Sequence, residues 1–252
     1  MNCKMFLLCV FSIMIISIPM NEVFSQDVKF LVGYWSFDNT KGKEAEDLSG
    51  NGNTGTISGN VKVVAGQFGD ALSFDGSGSH VAINDSKSLD GMDHLTVQLW
   101  INFNAIKADW NHILEKDCLY GLTVNTGSGT FQYDTGTDCG NRAGWIDSNY
   151  KVSEKTWYNI AMTVDGSKVI FYVNGKKESE KAWKNPVGDS AAPLHIAHPS
   201  SYLVDGIIDE VKVWSIALTE AEIQSEMLGG ASVNPKSKLT TTWGSIKCPT
   251  TH

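Results

Sequence analysis

The 252-residue chain carries a net charge of −8 with a pI of about 5.2, and 42% of its residues are apolar and 19% charged. A phosphate-binding surface needs clustered basic residues, so this acidic balance argues against nucleic acid as a partner. The apolar share and the 24 glycines exclude a disordered chain or a helical bundle and favour short strands joined by tight turns.

The N-terminus predicts a cleaved signal peptide over residues 1–25. Lys4 precedes an apolar run from Met5 to Ile18, and the segment ends in Val23-Phe24-Ser25. A basic start, a short apolar run and small or aliphatic residues at the cleavage site are typical of such peptides, and an uncleaved anchor is the alternative. We expect a secreted chain, periplasmic or at the cell surface if the source is bacterial, with no membrane span after cleavage.

Three cysteines remain beyond the predicted signal peptide: Cys118, Cys139 and Cys248. In an oxidising compartment, Cys118 and Cys139 are expected to form a disulfide that closes a loop of about 20 residues. Cys248 is then the odd cysteine, four residues from the end. No cysteine or histidine pair has the ligand spacing of a zinc site, so zinc is not expected.

Alternating apolar residues predict strands from Val28 onward. Leu95 to Phe103 alternates strictly, and the runs Trp157 to Val164 and Lys168 to Val173 are followed by Asp-Gly and Asn-Gly. These dipeptides favour hairpin turns, so the three runs predict a three-stranded antiparallel meander. Further strands are predicted at Leu31–Phe37, Ala71–Phe74, His80–Ile83, His112–Glu115, Gly121–Asn125, Thr130–Tyr133, Leu194–Ala197 and Gly206–Trp214.

One short helix is predicted near residue 220. Thr219 is a suitable N-cap, Glu220 and Glu222 favour the positive helix start, and a Gly-Gly pair at 229–230 ends the segment. The polar residues 229–252 are interpreted as a tail or linker, which leaves one domain over residues 26–228. Many short strands with one helix predict an all-β, two-sheet antiparallel jelly-roll sandwich.

Seven short motifs occur in a fixed order between about residues 30 and 228. They lie at Gly33–Asp38, Asp47–Asn53, Phe68–Gly76, Leu99–Ile101, Trp157–Ala161, Phe171–Gly175 and Gly206–Trp214. The ordered set resembles the laminin G-like jelly-roll domains of the concanavalin A-like lectin/glucanase superfamily. The resemblance implies one concave and one convex antiparallel sheet, with both chain ends on neighbouring strands.

The resemblance also implies a structural calcium ion near the join of the first and last strands. Asp38 follows the first predicted strand and Asp209 lies in the last, so these side chains are the expected ligands. Calcium takes six to eight oxygens, and Asp75 or carbonyls around residues 51–53 could complete the shell. The alternative is that Asp75 caps its own turn, as Asx residues beside glycine commonly do.

Ligand binding is assigned to aromatic residues, because exposed rings stack on sugar rings while polar groups bond the hydroxyls. The candidates are Trp110, Tyr133, Trp145 and Tyr202, with Trp110 expected in a polar loop. The alternative is that such rings cover sheet edges. His195 and His198 are interpreted as surface or satisfied histidines.

Catalysis is not expected. The laminarinase-like enzymes of the superfamily carry Glu-x-Asp-x-x-Glu or Glu-x-Asp-x-Glu on one strand, and neither pattern occurs here. We therefore expect a secreted, non-catalytic module that binds glycans or surface glycoconjugates and carries a structural calcium ion. The alternatives are an extracellular adhesion or assembly domain without sugar affinity, which binds other proteins, and a glycoside hydrolase with atypical carboxylates.

Overall fold

The computed structural model describes residues 28–106 and 110–228, so the predicted signal peptide and polar tail lie outside the described residues. A 3-10 helix (Val28–Phe30) precedes the first strand, and one α-helix, α1, spans Glu220–Met227. The strands in chain order are β1 (Leu31–Trp35), β2 (Glu44–Ala45), β3 (Gly55–Ser58), β4 (Lys62–Ala65), β5 (Asp70–Asp75), β6 (His80–Ile83), β7 (Leu95–Ala105), β8 (Trp110–Lys116), β9 (Tyr120–Asn125), β10 (Thr130–Asp138), β11 (Asn141–Arg142), β12 (Ile146–Lys151), β13 (Trp157–Val164), β14 (Lys168–Val173), β15 (Lys176–Ala182), β16 (Leu194–Ile196) and β17 (Asp205–Trp214).

The strands form two antiparallel sheets that enclose one main core. The eight-stranded sheet has the order β15-β14-β13-β7-β17-β5-β4, with β1 also paired to β17. The nine-stranded sheet has the order β11-β10-β9-β8-β16-β6-β3-β2, with β12 also paired to β10. Consecutive segments of the chain cross between the sheets, and this arrangement is the predicted jelly-roll sandwich.

The core follows from strand alternation. On β7, Leu95, Val97 and Leu99 are fully buried and pack against the inner side of the nine-stranded sheet. From that sheet, Phe131 and Tyr133 enter the same cluster. On these strands about every second side chain enters the core, and the side chains between them face the outer side of the sheet.

The three strongly alternating runs pair as predicted. β7 pairs with β13 and β13 with β14, all antiparallel. The predicted meander is wrong at its first connection, because β8 to β12 lie between β7 and β13 in the chain and belong to the other sheet. Six strands were not predicted: β2, β3, β4, β11, β12 and β15. Of these, β4 lies at the surface, because three of its four residues are exposed.

The predicted helix start is confirmed at α1. The Thr219 side chain accepts a hydrogen bond from the Glu222 amide, and the Glu222 carboxylate accepts one from the Thr219 amide at 2.6 Å. Ile223 of α1 is fully buried in a second, smaller apolar cluster on the outer side of the eight-stranded sheet. No helix among the described residues is long and apolar enough to cross a membrane.

Candidate functional site

A cleft of about 570 Å³ lies on the outer face of the nine-stranded sheet. Its lining combines aromatic rings, imidazoles and charged groups, which is the composition expected of a site for a polar ligand. The lining residues are Trp110, His112, Glu115, Asp117, Arg142, Trp145, Ala192, Pro193, His195, His198 and Tyr202.

The floor of the cleft is a row of paired residues across four strands. Glu115 on β8 pairs with Gly121 on β9 and with His195 on β16. His195 pairs in turn with Ala82 on β6. Paired residues share a face of the sheet, and the next residue on β16, Ile196, points into the core. The polar floor is thus the outer side of the same strands that build the core.

A β-bulge on β8 sets which of its side chains reach the cleft. The pairing of β8 with β9 shifts register between His112 and Leu114. Ile113 and Leu114 are consecutive, yet both are fully buried in the core. On a regular strand His112 and Glu115 would face opposite sides, and the extra residue returns them to the same side. Trp110, His112 and Glu115 of β8 line the cleft, together with Asp117 in the turn after β8.

Trp145 forms one wall of the cleft, and its ring lies over Gly121, which has no side chain. An added Cβ on Gly121 would lie 2.8 Å from the Trp145 ring, so the indole occupies the space above that glycine. The Arg142 guanidinium lies 5.9 Å from the Trp145 ring, a cation–π distance, and Trp110 lies 6.0 Å away on another side. Arg142 is the only arginine in the sequence.

The opposite wall comes from the loop after β16. The His112 amide donates to the Tyr202 carbonyl at 3.0 Å, and the Ala197 amide donates to the Ile113 carbonyl at 2.8 Å. These two bonds fix the loop on the bulge. The Tyr202 ring then stacks on the His112 ring, with centroids 4.4 Å apart and planes 15° apart.

Two ionisable side chains of the cleft, Glu115 and His195, have shifted pKa values. Burial raises the pKa of Glu115, but hydrogen bonding to His112 and the nearby charges of His112, His198 and Arg142 outweigh it, so the pKa is lowered. Burial and the neighbouring histidines lower the pKa of His195. At neutral pH, Glu115 is therefore ionised and His195 is neutral.

Three of the four predicted ligand-binding aromatics meet in this cleft: Trp110, Trp145 and Tyr202. Trp110 begins β8 rather than lying in a loop. Tyr133 requires a correction, because its side chain is fully buried and stacks on Phe171 with centroids 5.1 Å apart. A ring enclosed in the core has no face to offer a ligand.

The predicted disulfide is confirmed between Cys118 and Cys139, 21 residues apart. Cys118 lies between β8 and β9, and Cys139 lies between β10 and β11. The bond therefore ties the segment that carries Arg142 and Trp145 to the strand pair at the floor of the cleft. Cys248 lies outside the described residues.

The predicted calcium ligands Asp38, after β1, and Asp209, in β17, both contact the segment at residues 68–70 beside the start of β5. The Phe68 amide donates to Asp209 Oδ2 at 2.9 Å, and the Asp70 amide donates to Asp38 Oδ1 at 2.8 Å. Asp209 is fully buried, and its Oδ1 has no hydrogen-bond partner among the described residues. Burial and the charge of Glu210 raise the pKa of Asp209 to about 7, against hydrogen bonds from backbone amides.

Asp75 does not belong with this pair. It ends β5, whereas Asp70, which contacts Asp38, begins it, and five steps along a strand are about 16 Å. Hydrogen bonds from Ser77 and Ser79 lower the pKa of Asp75 to about 2. Asp75 therefore caps its own turn and cannot share an ion with Asp38.

Four charged or ionisable cleft residues were not named by the sequence analysis: His112, Glu115, Asp117 and Arg142. His195 and His198, interpreted there as surface or satisfied histidines, also line the cleft. The uniqueness of Arg142 in the chain was an available signal. The Glu-x-Asp spacing at 115 and 117 was another, since residues two apart on a strand share a face, although Asp117 itself lies in the turn after β8. The shared face of His112 and Glu115 depends on the bulge, which their spacing does not reveal.

A family model of the concanavalin A-like lectin/glucanases superfamily matches residues 75–224, more than half of the chain. A comparison with curated proteins finds no match. Among solved structures, the binding domain of Paraclostridial Mosquitocidal Protein 1 is similar at a TM-score of 0.67 and 15% identity, over 79% of this chain and 52% of that chain.

Two further solved structures share the fold. Domain 4 of AbnA, a GH43 extracellular arabinanase from Geobacillus stearothermophilus solved with arabinotriose, matches at a TM-score of 0.62 and 21% identity, over 78% of this chain and 97% of that chain. A Trypanosoma rangeli sialidase matches at 0.62 and 15% identity, over 82% of this chain and 34% of that chain. The chain spans about half of the mosquitocidal binding domain and a third of the sialidase, and likeness at these identities concerns the fold.

Proposed function

Because the chain belongs to the concanavalin A-like lectin/glucanases superfamily, we propose that it is a non-catalytic binding module for a neutral glycan. The ligand lies in the cleft between Trp110, Trp145 and Tyr202. The observation that carries the proposal is the convergence of these three rings over a polar floor. Rings supply stacking faces for pyranose or furanose rings, and the floor supplies hydrogen-bonding groups.

The charge of the cleft favours a neutral glycan over an anionic one. Glu115 is ionised, and Asp117 adds a second carboxylate to the lining. The single guanidinium, Arg142, is already paired with the buried Asp134 through a 2.6 Å hydrogen bond. Carboxylates at the floor accept hydrogen bonds from sugar hydroxyls but repel an anionic sugar.

The structural relatives support a binding role. The mosquitocidal protein's matching region is a binding domain, and the arabinanase domain was solved with a trisaccharide. These likenesses support only that the fold can carry such a role. The proposal includes secretion, which rests on the signal-like N-terminus and is supported by the disulfide, since such bonds persist in oxidising compartments.

Glycan binding is tested on an array of neutral and acidic oligosaccharides, followed by titration of the best ligand. Trp145→Ala and Tyr202→Ala should each weaken binding at least tenfold, about 1.4 kcal/mol. Trp157→Ala is the matched control, because Trp157 lies on the other sheet beside Trp100, with ring centroids 6.4 Å apart. Absence of wild-type binding across the array would overturn the glycan proposal and favour a protein partner.

A hydrolase is the second candidate, because Glu115 of β8 and Asp117 of the following turn line the same cleft. Glycoside hydrolysis needs one carboxylic acid that stays protonated at working pH, which requires a raised pKa. The pKa of Glu115 is lowered instead, which opposes the acid role. We expect no reducing sugar to be released from any oligosaccharide that binds, and release that disappears in Glu115→Gln would reverse the assignment.

We also propose a structural calcium ion beside Asp38 and Asp209. The unpartnered, buried Oδ1 of Asp209 supports the proposal, because a cation would satisfy that oxygen and favour the ionised carboxylate. Calcium should raise the wild-type melting temperature in zinc-free buffer, and Asp209→Asn should abolish the shift. Asp75→Asn should keep the shift, and a wild-type melting temperature unchanged by calcium would contradict the site.

A further inference from the structure

Four of the six histidines in the sequence form a row on the outer face of the nine-stranded sheet. The ring centroids of His80 and His195 lie 5.6 Å apart, those of His195 and His198 lie 6.0 Å apart, and those of His198 and His112 lie 5.5 Å apart. The row ends at Glu115 in the cleft. Several imidazoles beside a carboxylate are typical of a transition-metal site.

The donor atoms of three of these residues converge. His112 Nδ1 lies 2.5 Å from Glu115 Oε2, and His198 Nε2 lies 3.9 Å from the same oxygen. One donor atom from each residue lies within 4.8 Å of the others. Two ligands on one zinc ion are about 3.3 Å apart, since each bond is about 2.0–2.2 Å. His112 Nδ1 and Glu115 Oε2 would therefore have to separate by about 1 Å, from 2.5 Å to about 3.3 Å, to bind one metal ion together.

The fold holds these three side chains from both sides. The β8 bulge brings His112 and Glu115 onto one face, although they are three residues apart. The backbone bonds from Ala197 to Ile113 and from His112 to Tyr202 fix the loop on either side of His198. The arrangement is thus set by backbone geometry and needs no metal to bring the ligands together.

The surroundings of the two imidazoles also suit a metal site. His198 Nδ1 contacts both the carbonyl and the amide of Ser200, which holds the ring in place. The other ring nitrogen, Nε2, faces Glu115. Contacts from the outer nitrogen of a histidine ligand to the backbone commonly orient the ring. The stacked Tyr202 ring fixes the plane of the His112 ring.

We propose that His112, Glu115 and His198 bind a divalent transition metal ion, with Zn²⁺ as the best fit to two imidazoles and one carboxylate. Three protein ligands leave a coordination position for water or a ligand hydroxyl on the cleft side. The other group of close donor atoms among the described residues, at Asp117, offers no thiolate because Cys118 and Cys139 form a disulfide. Metal binding here does not depend on the proposed glycan function, whose argument from charge concerns the metal-free cleft.

The test is calorimetric titration of the metal-stripped full chain, without a histidine tag, with ZnCl₂. We expect one zinc ion per chain, and at least tenfold weaker binding in His198→Gln and in Glu115→Gln. Loading with Co²⁺ should give visible absorption bands in the wild type that are absent from both variants. His94→Ala is the matched control, because His94 is exposed and outside the cleft, and it should bind zinc as the wild type does.

A second control separates this site from the proposed calcium site. Asp209→Asn should bind zinc normally, and an excess of calcium should not displace the metal. Melting curves of the metal-free variants identify any variant that fails to fold. Absence of stoichiometric zinc binding by the wild type would overturn the proposal, as would unchanged binding in folded His198→Gln and Glu115→Gln.

Discussion

Asp134 is a buried carboxylate at the edge of the cleft, and its charge depends on Arg142. Only 1% of Asp134 is exposed, and the Arg142 Nε–H donates to its Oδ2 at 2.6 Å. Burial raises the pKa of Asp134, and the guanidinium opposes that rise. The chain's single arginine therefore stabilises a carboxylate that burial alone would keep protonated over a wider pH range.

Arg142→Met should lower the free energy of unfolding by about 3 kcal/mol at pH 8, because it leaves a buried charge unpaired. Without Arg142 the folded-state pKa of Asp134 rises further, while the unfolded-state pKa stays near 3.9. The folded variant then binds more protons than the unfolded chain between these pKa values, so its stability falls as pH rises through that window. Urea unfolding at pH 5 and pH 8 measures the difference.

Asp134→Asn in the Arg142→Met background is the control for this explanation. An amide carries no charge, so the double variant should recover much of the lost stability at pH 8 and lose the pH dependence. An equal loss of stability in Arg142→Met at both pH values would show that the guanidinium acts through packing on Trp145 rather than through charge.

Gly121 is the residue that allows Trp145 to lie on the sheet. Gly121→Ala should displace the indole, because the new Cβ would lie 2.8 Å from its ring. Removing glycine from a strand is otherwise stabilising by about 0.5–1 kcal/mol. We therefore expect a small change in melting temperature, a changed tryptophan fluorescence spectrum and weaker ligand binding. Gly127→Ala, in the turn between β9 and β10, should leave all three properties unchanged, and an unaltered spectrum in Gly121→Ala would contradict the contact.

At the scale of elements, the disulfide between Cys118 and Cys139 connects the fold to the cleft. The double variant Cys118→Ser/Cys139→Ser should lose about 3 kcal/mol of unfolding free energy, the entropy of closing a loop of this length. It should also bind ligand more weakly, since Arg142 and Trp145 follow Cys139 closely. Denaturant unfolding measures the loss of stability, and ligand titration measures the loss of affinity. An unchanged affinity would show that the pairing of β10 with β11 and β12 is enough to position Arg142 and Trp145.

The strands could be predicted where apolar residues alternate, as on β7, β13 and β17. The edge strand β4 could not, because an edge on the surface needs no apolar face. Alternation places Phe131 and Tyr133 on one face of β10 but does not indicate whether that face packs into the core. An aromatic ring suits a core and a ligand site equally well, and this is why Tyr133 was misassigned.

The cleft could be predicted only in part, for a physical reason. Trp145 and Tyr202 are aromatic residues in polar loops, which can be recognised from the sequence alone. His112, Glu115 and His198 come together through a bulge and through backbone bonds between β8 and a distant loop. Such contacts depend on tertiary pairing, so spacing along the chain gave no sign of a metal site.

At the scale of the whole molecule, the two ends of the described chain meet in one sheet. Leu31 of β1 pairs with Trp214 of β17, and Trp35 pairs with Val211. Trp35 is fully buried, and its indole N–H donates to the Asn53 carbonyl at 2.9 Å. β1 thus closes the sandwich over the last strand, and the predicted domain of residues 26–228 contains every described element.

Two truncations test this closure. A chain of residues 26–228 should unfold in one cooperative transition, within about 0.5 kcal/mol of a chain of residues 26–252, because the polar composition of residues 229–252 predicts a tail or linker that adds no core. A chain of residues 37–228 lacks β1 and should lose the cooperative transition. Removing a buried tryptophan side chain alone costs about 3–5 kcal/mol, a large part of the stability of a domain. Near-ultraviolet circular dichroism in urea measures both, and a chain of residues 37–228 that unfolds at the same urea midpoint would show that β17 does not need its β1 partner.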